Sequence, residues 1–217
     1  MDDWYINGLE QALSLERFGR YLAWAGGNRL DAVALYTLNT QLSECLYTPL
    51  QMLEVALRNR IHAVLSEASD DEWYDSPDYP WRPSQREQVT KAKADITQAR
   101  KQVTPGRLVA ALTFGYWTTF FNKDYEDLWR RHLHKIVVKP PEKPLTRKTV
   151  SSQLTPIRGL RNRIAHHEPI IDQDLCGHYS NILELTECLS PAAAQWCRTH
   201  CRFGDVYPTA GTVLQKT

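Results

Sequence analysis

Apolar side chains recur every three or four residues along one stretch in the first third of the chain, and this spacing limits the fold more than any other feature. Such a period places the side chains on one face of an α-helix, whereas a β-strand presents alternate residues on opposite faces. The stretch runs from Pro49 to Ala68 and therefore predicts a long helix with one face in the core. Its apolar positions are Leu50, Leu53, Ala56, Leu57, Ile61 and Leu65.

The same spacing continues through most of the chain, and no segment has a convincing strand pattern. Ile136-Val137-Val138 is too short to supply a sheet. Thr104-Pro105 predicts a helix start, because a hydroxyl caps free N–H groups and proline fits the first turn. We therefore predict an all-α fold, a helical bundle that forms one domain over residues 1–217. Further helices are predicted over about 15–25, 30–45, 84–102, 105–121, 124–134, 149–167, 172–189 and 191–201, with irregular segments over 69–83, 136–145 and 203–217.

The charge distribution leaves two interpretations open. The chain has 26 lysines and arginines against 25 aspartates and glutamates, so its bulk charge does not predict nucleic-acid binding. Basic residues nevertheless dominate between Arg130 and Arg163, while acids gather between Glu67 and Asp78. This asymmetry indicates either a basic face near the C-terminal third or an ordinary solvated surface.

The cysteines and the N-terminus predict a reduced, cytoplasmic protein that does not enter membranes. None of the five cysteines forms a Cys-x-x-Cys pair, and the chain opens with the acidic Met1-Asp2-Asp3 where a secretory signal would be basic. No apolar run has the length of a membrane span. Cys197, His200 and Cys201 lie close together, but their spacing matches no common zinc site, so we expect no metal or other cofactor.

A polar cluster lies near the end of one predicted helix, where residues 161–170 read RNRIAHHEPI. Arg158, Asn162 and His166 are four residues apart and share a helical face. Arginine binds phosphate with a bidentate fork, and histidine exchanges protons near neutral pH. The cluster therefore predicts a site in which Arg161 holds a phosphate, His166 carries a proton and Asn162 orients the histidine or the substrate.

An upstream helix repeats part of this motif, since residues 57–61 and 160–164 both read Leu-Arg-Asn-Arg-Ile. Glu54 and Arg58 are one helical turn apart, so they either form an ordinary ion pair or point into the same polar pocket. Buried arginines and asparagines need partners, which two packed helices could offer to each other or to a phosphate. The residues predicted to line the site are Glu54, Arg58, Asn59, Arg158 and His167.

A structural role explains the same cluster. Arg161, Asn162 and His166 can form a polar network that fixes helix packing. His166 and His167 can also mark the C-terminus of the helix, where the dipole stabilises histidine and where Pro169 favours termination. In either case the set lacks the paired carboxylates of a magnesium-dependent nuclease.

These residues carry a resemblance to a known family. Arg161-Asn162-x-x-x-His166 resembles the R-x(4–6)-H signature of the HEPN superfamily, whose members often have asparagine directly after the arginine. The wider segment 160–170 is similar to the Abi-like (AbiD/AbiF-type) branch of bacterial abortive-infection proteins. Residues 53–60 resemble the N-terminal core helix of that branch, and 112–117 its aromatic segment, so the likeness covers roughly residues 10–190.

The resemblance implies a HEPN-like bundle that acts as a metal-independent endoribonuclease in phage defence or as a toxin. It also implies a homodimer with a composite site and, as partners, RNA and an antitoxin or a phage-derived trigger. Arg161 would stabilise the scissile phosphate, His166 would be the general acid or base, and Asn162 would position one of them, leaving a cyclic 2′,3′-phosphate. Glu54 and Arg58 would line the site. The alternatives are a non-catalytic module that binds RNA or a protein, and a purely structural helical protein.

Overall fold

The structure of the protein is a computed structural model that describes residues 3–142 and 144–208, and within these ranges it contains helices and no strand. The predicted all-α fold is therefore confirmed. The described residues also form 3-10 turns at Trp73–Asp75, Lys123–Tyr125 and Leu133–Ile136. The α-helices are α1 (Asp3–Leu13), α2 (Leu15–Trp24), α3 (Arg29–Ala68), α4 (Pro83–Gln98), α5 (Pro105–Ala111), α6 (Phe114–Thr119), α7 (Glu126–Arg131), α8 (Arg147–Ala165), α9 (Leu175–Leu189), α10 (Pro191–His200) and α11 (Phe203–Val206).

Helix α3 runs unbroken for 40 residues, so the prediction of two helices separated before Pro49 was wrong. Proline has no N–H, and inside a helix it leaves the carbonyl four residues earlier without its usual donor. Here that carbonyl belongs to Cys45, and the Cys201 thiol donates to it at 3.3 Å. The ring of Pro49 is itself buried. A distant part of the chain thus supplies the donor that the proline removes, and the helix continues.

The core forms around α3. Helices α2, α6, α8, α9 and α10 all pack against it. The predicted apolar stripe is confirmed, because Leu53, Leu57, Ile61 and Leu65 are almost fully buried. Leu50 is also buried, and Ala56 is partly buried against the same core.

Several predicted boundaries differ from the structure. The helix expected over 105–121 is divided into α5 and α6, because the Thr113 hydroxyl accepts a hydrogen bond from the backbone N–H of Tyr116 and starts a new helix. The predicted cap at Thr104 is present, accepting from the N–H of Arg107. Helix α1 was not predicted at all. Of the tail predicted to be irregular over 203–217, the first residues form α11, and residues 209–217 lie outside the described ranges.

The acidic segment 69–83 folds its aromatic residues inward. Trp73 is fully buried, and its ring contacts Trp117 of α6 and Phe120, which directly follows that helix. The Trp73 indole Nε1 donates to Nδ1 of His62 on α3 at 2.9 Å. Asp75 forms an ion pair with Lys93 of α4. The segment is therefore attached to three helices by its aromatic and acidic side chains.

The helices of residues 3–142 and 144–208 have no stretch that combines the length and the apolar character required to cross a bilayer.

The hydrogen bond between Trp73 and His62 makes stability depend on pH. An indole N–H only donates, so Nδ1 of His62 must be unprotonated. Burial lowers the pKa of His62, opposed by the nearby charge of Asp71. The folded state thus favours the neutral imidazole. This stabilisation is fully present above the ordinary pKa of about 6.5 and is lost as the pH falls from there through the lowered folded-state pKa.

We expect the melting temperature to fall between pH 7.5 and pH 5.5, and to fall less in His62→Asn, whose amide oxygen accepts from the indole but does not titrate. Burial also lowers the pKa of His132 and His178, so the comparison with His62→Asn isolates the part due to His62. Thermal unfolding followed by circular dichroism at both pH values measures this difference. Equal pH dependence in the two proteins would contradict the role of His62.

Candidate active site

Helix α8 carries the polar motif and lies antiparallel to α3. It begins with the Thr146 hydroxyl, which accepts from the N–H of Thr149. Near its end, Nε of Arg161 lies 3.8 Å from Oε2 of Glu54 on α3. Beyond its end, the N–H of Ile170 donates to Oδ1 of Asn39 on α3 at 2.7 Å. Later residues of this segment therefore lie beside earlier residues of α3. The motif, residues 161–170, faces the part of α3 between Asn39 and Glu54.

The helix ends at the two histidines. His166 is the C-cap, and His167 has a φ of 57°, in the left-handed region. The N–H of His167 donates to the carbonyl of Ile164 at 3.1 Å, and the N–H of Glu168 donates to that of Arg163 at 2.8 Å. This pair of bonds is a Schellman motif, which usually has glycine where His167 stands. A side chain in this conformation costs about 1–2 kcal/mol.

Two side chains hold the chain that follows this turn. Nη1 of Arg163 donates to the carbonyl of Pro169 at 2.8 Å and lies 3.5 Å from Oδ1 of Asp172. Asn39 is buried, and its hydrogen bond to Ile170 satisfies a backbone N–H that water cannot reach. These contacts hold the segment that follows His167 in place, although His167 is itself exposed.

A groove of about 750 Å³ separates α3 from the end of α8. Its charged and titratable lining includes Glu54 and Arg58 from α3, and Arg161 and His167 from the motif. This volume lies within the range of about 300–1,000 Å³ that is typical of ligand sites. Its remaining lining residues are Thr40, Ser43, Glu44, Tyr47, Leu50, Gln51, Val55, Ile164 and Ala165.

The charged groups of the groove are only partly paired. Arg161 and Glu54 are within ion-pair distance, but 3.8 Å is too long for a hydrogen bond. Burial raises the pKa of Glu54, while Arg161 and Arg58 act in the opposite direction. Nε of Arg58 is buried and has no hydrogen-bond partner among the described residues. The side chain of Arg161, in contrast, is 39% exposed and forms no hydrogen bond among the described residues, so the groove retains guanidinium donors that an anion could reach.

The structure brings together four of the predicted site residues, Glu54, Arg58, Arg161 and His167. The other four lie outside the groove lining. Asn59, Arg158, Asn162 and His166 are all exposed.

The backbone of the two exposed motif residues contributes to the helix end. The carbonyl of Asn162 accepts from the N–H of His166, and the carbonyl of His166 accepts from the Arg17 guanidinium at 3.4 Å. The catalytic roles of Asn162 and His166 remain predictions.

The side chain of Arg158 contacts another helix, because its Nη1 donates to the Thr118 hydroxyl on α6 at 3.3 Å.

Three residues of this region were not predicted. Asn39 and Arg163 hold the chain after His167, and Tyr47 stands on the wall of the groove with 63% of its surface exposed. Tyr47 falls in the break that was predicted before Pro49, so the sequence pattern did not place it on the same helix as Glu54. The sequence does contain an indication for Asn39, because this polar residue lies among apolar residues on the inner face of α3.

Much of the basic stretch between Arg130 and Arg163 has structural partners. Arg147 is largely buried, and it pairs with Glu126 and donates to the carbonyl of Phe121. Lys139 pairs with Glu187. Among the described residues, no three histidine, cysteine or acidic side chains are grouped in a way that could hold a metal ion.

Comparison with protein families gives one match. A family model described as Abi-like protein matches residues 5–172, which is more than three quarters of the chain. Curated proteins and solved structures give no match.

Asn39→Ala should destabilise the protein, because it leaves the buried N–H of Ile170 without an acceptor. We expect a loss of about 1–3 kcal/mol in the free energy of unfolding, measured by chemical denaturation. The control is Gln41→Ala, an exposed position on the same helix, which should change stability by less than about 0.5 kcal/mol. Equal stability of the two variants would show that the segment after His167 does not depend on this bond.

Proposed function

Since this chain belongs to the Abi-like protein family, we propose that it is a metal-independent endoribonuclease of the HEPN type that acts in abortive infection, the defence of bacteria against phage. The observation that carries this proposal is the groove, where two guanidinium groups, an imidazole and a half-buried carboxyl converge. Such a set binds a phosphate and moves protons. The resemblance of the motif to the R-x(4–6)-H signature supports the same chemistry.

In the proposed reaction, Arg161 binds the scissile phosphate and stabilises the charge that develops on its oxygens. The 2′-hydroxyl of the ribose loses a proton and attacks the adjacent phosphorus. The bond to the 5′-oxygen of the next nucleotide breaks, and that oxygen receives a proton. The products are a cyclic 2′,3′-phosphate and a free 5′-hydroxyl. No oxidant, reductant or metal ion is required by these steps.

His167 is our choice for the proton carrier in this groove. It lines the groove beside Arg161, whereas His166 does not. Both histidines satisfy the R-x(4–6)-H spacing, so the resemblance permits either one. Glu54 would pair with Arg161 and keep its guanidinium oriented, and Arg58 would add a second positive charge.

The proposed active form is a homodimer in which two copies of the motif meet. One reaction needs both a base and an acid, and two copies would provide two imidazoles. An antitoxin or a phage-derived trigger would then control when the site acts.

The second candidate function is a non-catalytic module that binds RNA or a partner protein through the same groove. The observation that favours it is the position of Asn162 and His166, two of the three signature residues, outside the groove lining.

An RNA cleavage assay in EDTA with wild type, His167→Ala and His166→Ala tests the catalytic proposal. We expect wild type to leave cyclic phosphate ends, and His167→Ala to be slower by roughly 10²- to 10⁴-fold, the usual contribution of general acid–base catalysis. His166→Ala should stay within a few-fold of wild type.

Two results would contradict this assignment. Loss of cleavage in His166→Ala alone would show that His166, the residue predicted from the spacing, is the proton carrier. Absence of cleavage by all three proteins, each folded and dimeric, would favour the binding module.

Sedimentation velocity tests the proposed assembly. We expect wild type to sediment as a dimer at micromolar concentration, because the composite site requires two copies. A strict monomer at high micromolar concentration would exclude that site.

A further inference from the structure

One feature of the groove is used by none of these steps. Tyr47 stands on its wall, and we propose that the tyrosine ring stacks on an unpaired nucleobase, so that the groove selects single-stranded RNA over duplex RNA. This inference rests on the proposed function, because it places the base beside the phosphate that Arg161 would hold. It adds a substrate class and a binding residue to that function.

The alignment of α3 with α8 places Tyr47 beside the motif. Glu54 faces Arg161, and Asn39 bonds to Ile170, so Tyr47 lies on α3 between these two fixed points. The opposite wall at this level is formed by the last turn of α8. That wall includes Ala165, whose side chain is small and exposed.

The ring of Tyr47 is free to bind. Its surface is 63% exposed, although it lies on a core helix. In the part of the chain that the structure describes, no hydrogen bond or ring contact involves its side chain. The apolar side chains of Leu50, Val55 and Ile164 continue the same groove. A flat apolar ligand would therefore find both an aromatic face and apolar walls.

The charge of the groove favours a base as part of the ligand. The groove offers only two arginines, Arg58 and Arg161, and Glu54 lies within ion-pair distance of Arg161, while Glu44 is paired with Arg202. Counterion release from a long phosphate backbone can therefore contribute little to affinity. Base–aromatic stacking does not depend on net charge, and its loss typically weakens binding by about 5- to 150-fold per base. Stacking on Tyr47 would supply affinity that two arginines alone cannot.

The same geometry explains a preference for single strands. A base within a duplex has both faces covered by its neighbours, and it must leave the stack before a side chain can cover it. Nucleotides that are already unpaired avoid this cost. The groove should therefore prefer loops and single-stranded regions without reading a particular base, because every base has a π-face.

Fluorescence anisotropy with a short, fluorescein-labelled 2′-O-methyl RNA tests the inference. The methyl group blocks the attacking 2′-oxygen, so binding is measured without cleavage. We expect Tyr47→Ala to weaken binding of the single strand about tenfold, and Tyr47→Phe to bind within twofold of wild type. The duplex of the same sequence should bind weakly to all three proteins. With cleavable RNA, Tyr47→Ala should raise KM and leave kcat nearly unchanged.

Each other outcome has a definite meaning. Equal binding of the single strand by Tyr47→Ala and wild type would overturn the inference, even if wild type cleaves RNA. Binding that depends on Tyr47 without any cleavage would support the inference while the catalytic proposal fails. Loss of the dimer in Tyr47→Ala by sedimentation velocity would overturn it in favour of a subunit contact, and failure of wild type to bind RNA would overturn it as well.

Discussion

The continuity of α3 across Pro49 is the constraint on which the groove depends. Tyr47 lies before the proline and Glu54 and Arg58 lie after it, so these side chains share one wall only because the helix does not break. The Cys201 thiol donates to the carbonyl that the proline leaves free, and the proline ring is buried. The C-terminal part of the chain thus supports a wall formed by the N-terminal part.

The helical content and the core face could be read from the sequence because they follow from periodicity alone. Apolar residues with a period of 3.6 share one face only if the segment is an α-helix, and the residues of this stripe are buried as expected. The helix breaks were less predictable because they depend on competing donors and acceptors. Proline normally interrupts a helix, but at Pro49 a thiol that is distant in sequence compensates, whereas Thr113 divides a helix that periodicity alone would continue.

The site could be predicted in part for the same reason. Glu54, Arg58 and Arg161 lie within regular helices, so their spacing gives their direction once the two helices pack. His166 and His167 lie where the helix ends, and the rule that residues four apart share a face no longer applies there. The left-handed conformation of His167 redirects the chain. A glycine at this position would have indicated such a turn, but the sequence has a histidine there.

Two local energetic costs meet at this groove. His167 occupies a conformation that glycine would adopt more easily, and Nε of Arg58 is buried without a hydrogen bond among the described residues. A purely structural end of α8 would be more stable with glycine at position 167, and a purely structural α3 would be more stable with a paired or exposed arginine at position 58. Costs of this kind persist where function requires them and the surrounding structure can bear them. Their coincidence with Arg161 and Tyr47 in one groove favours a binding site over a packing network.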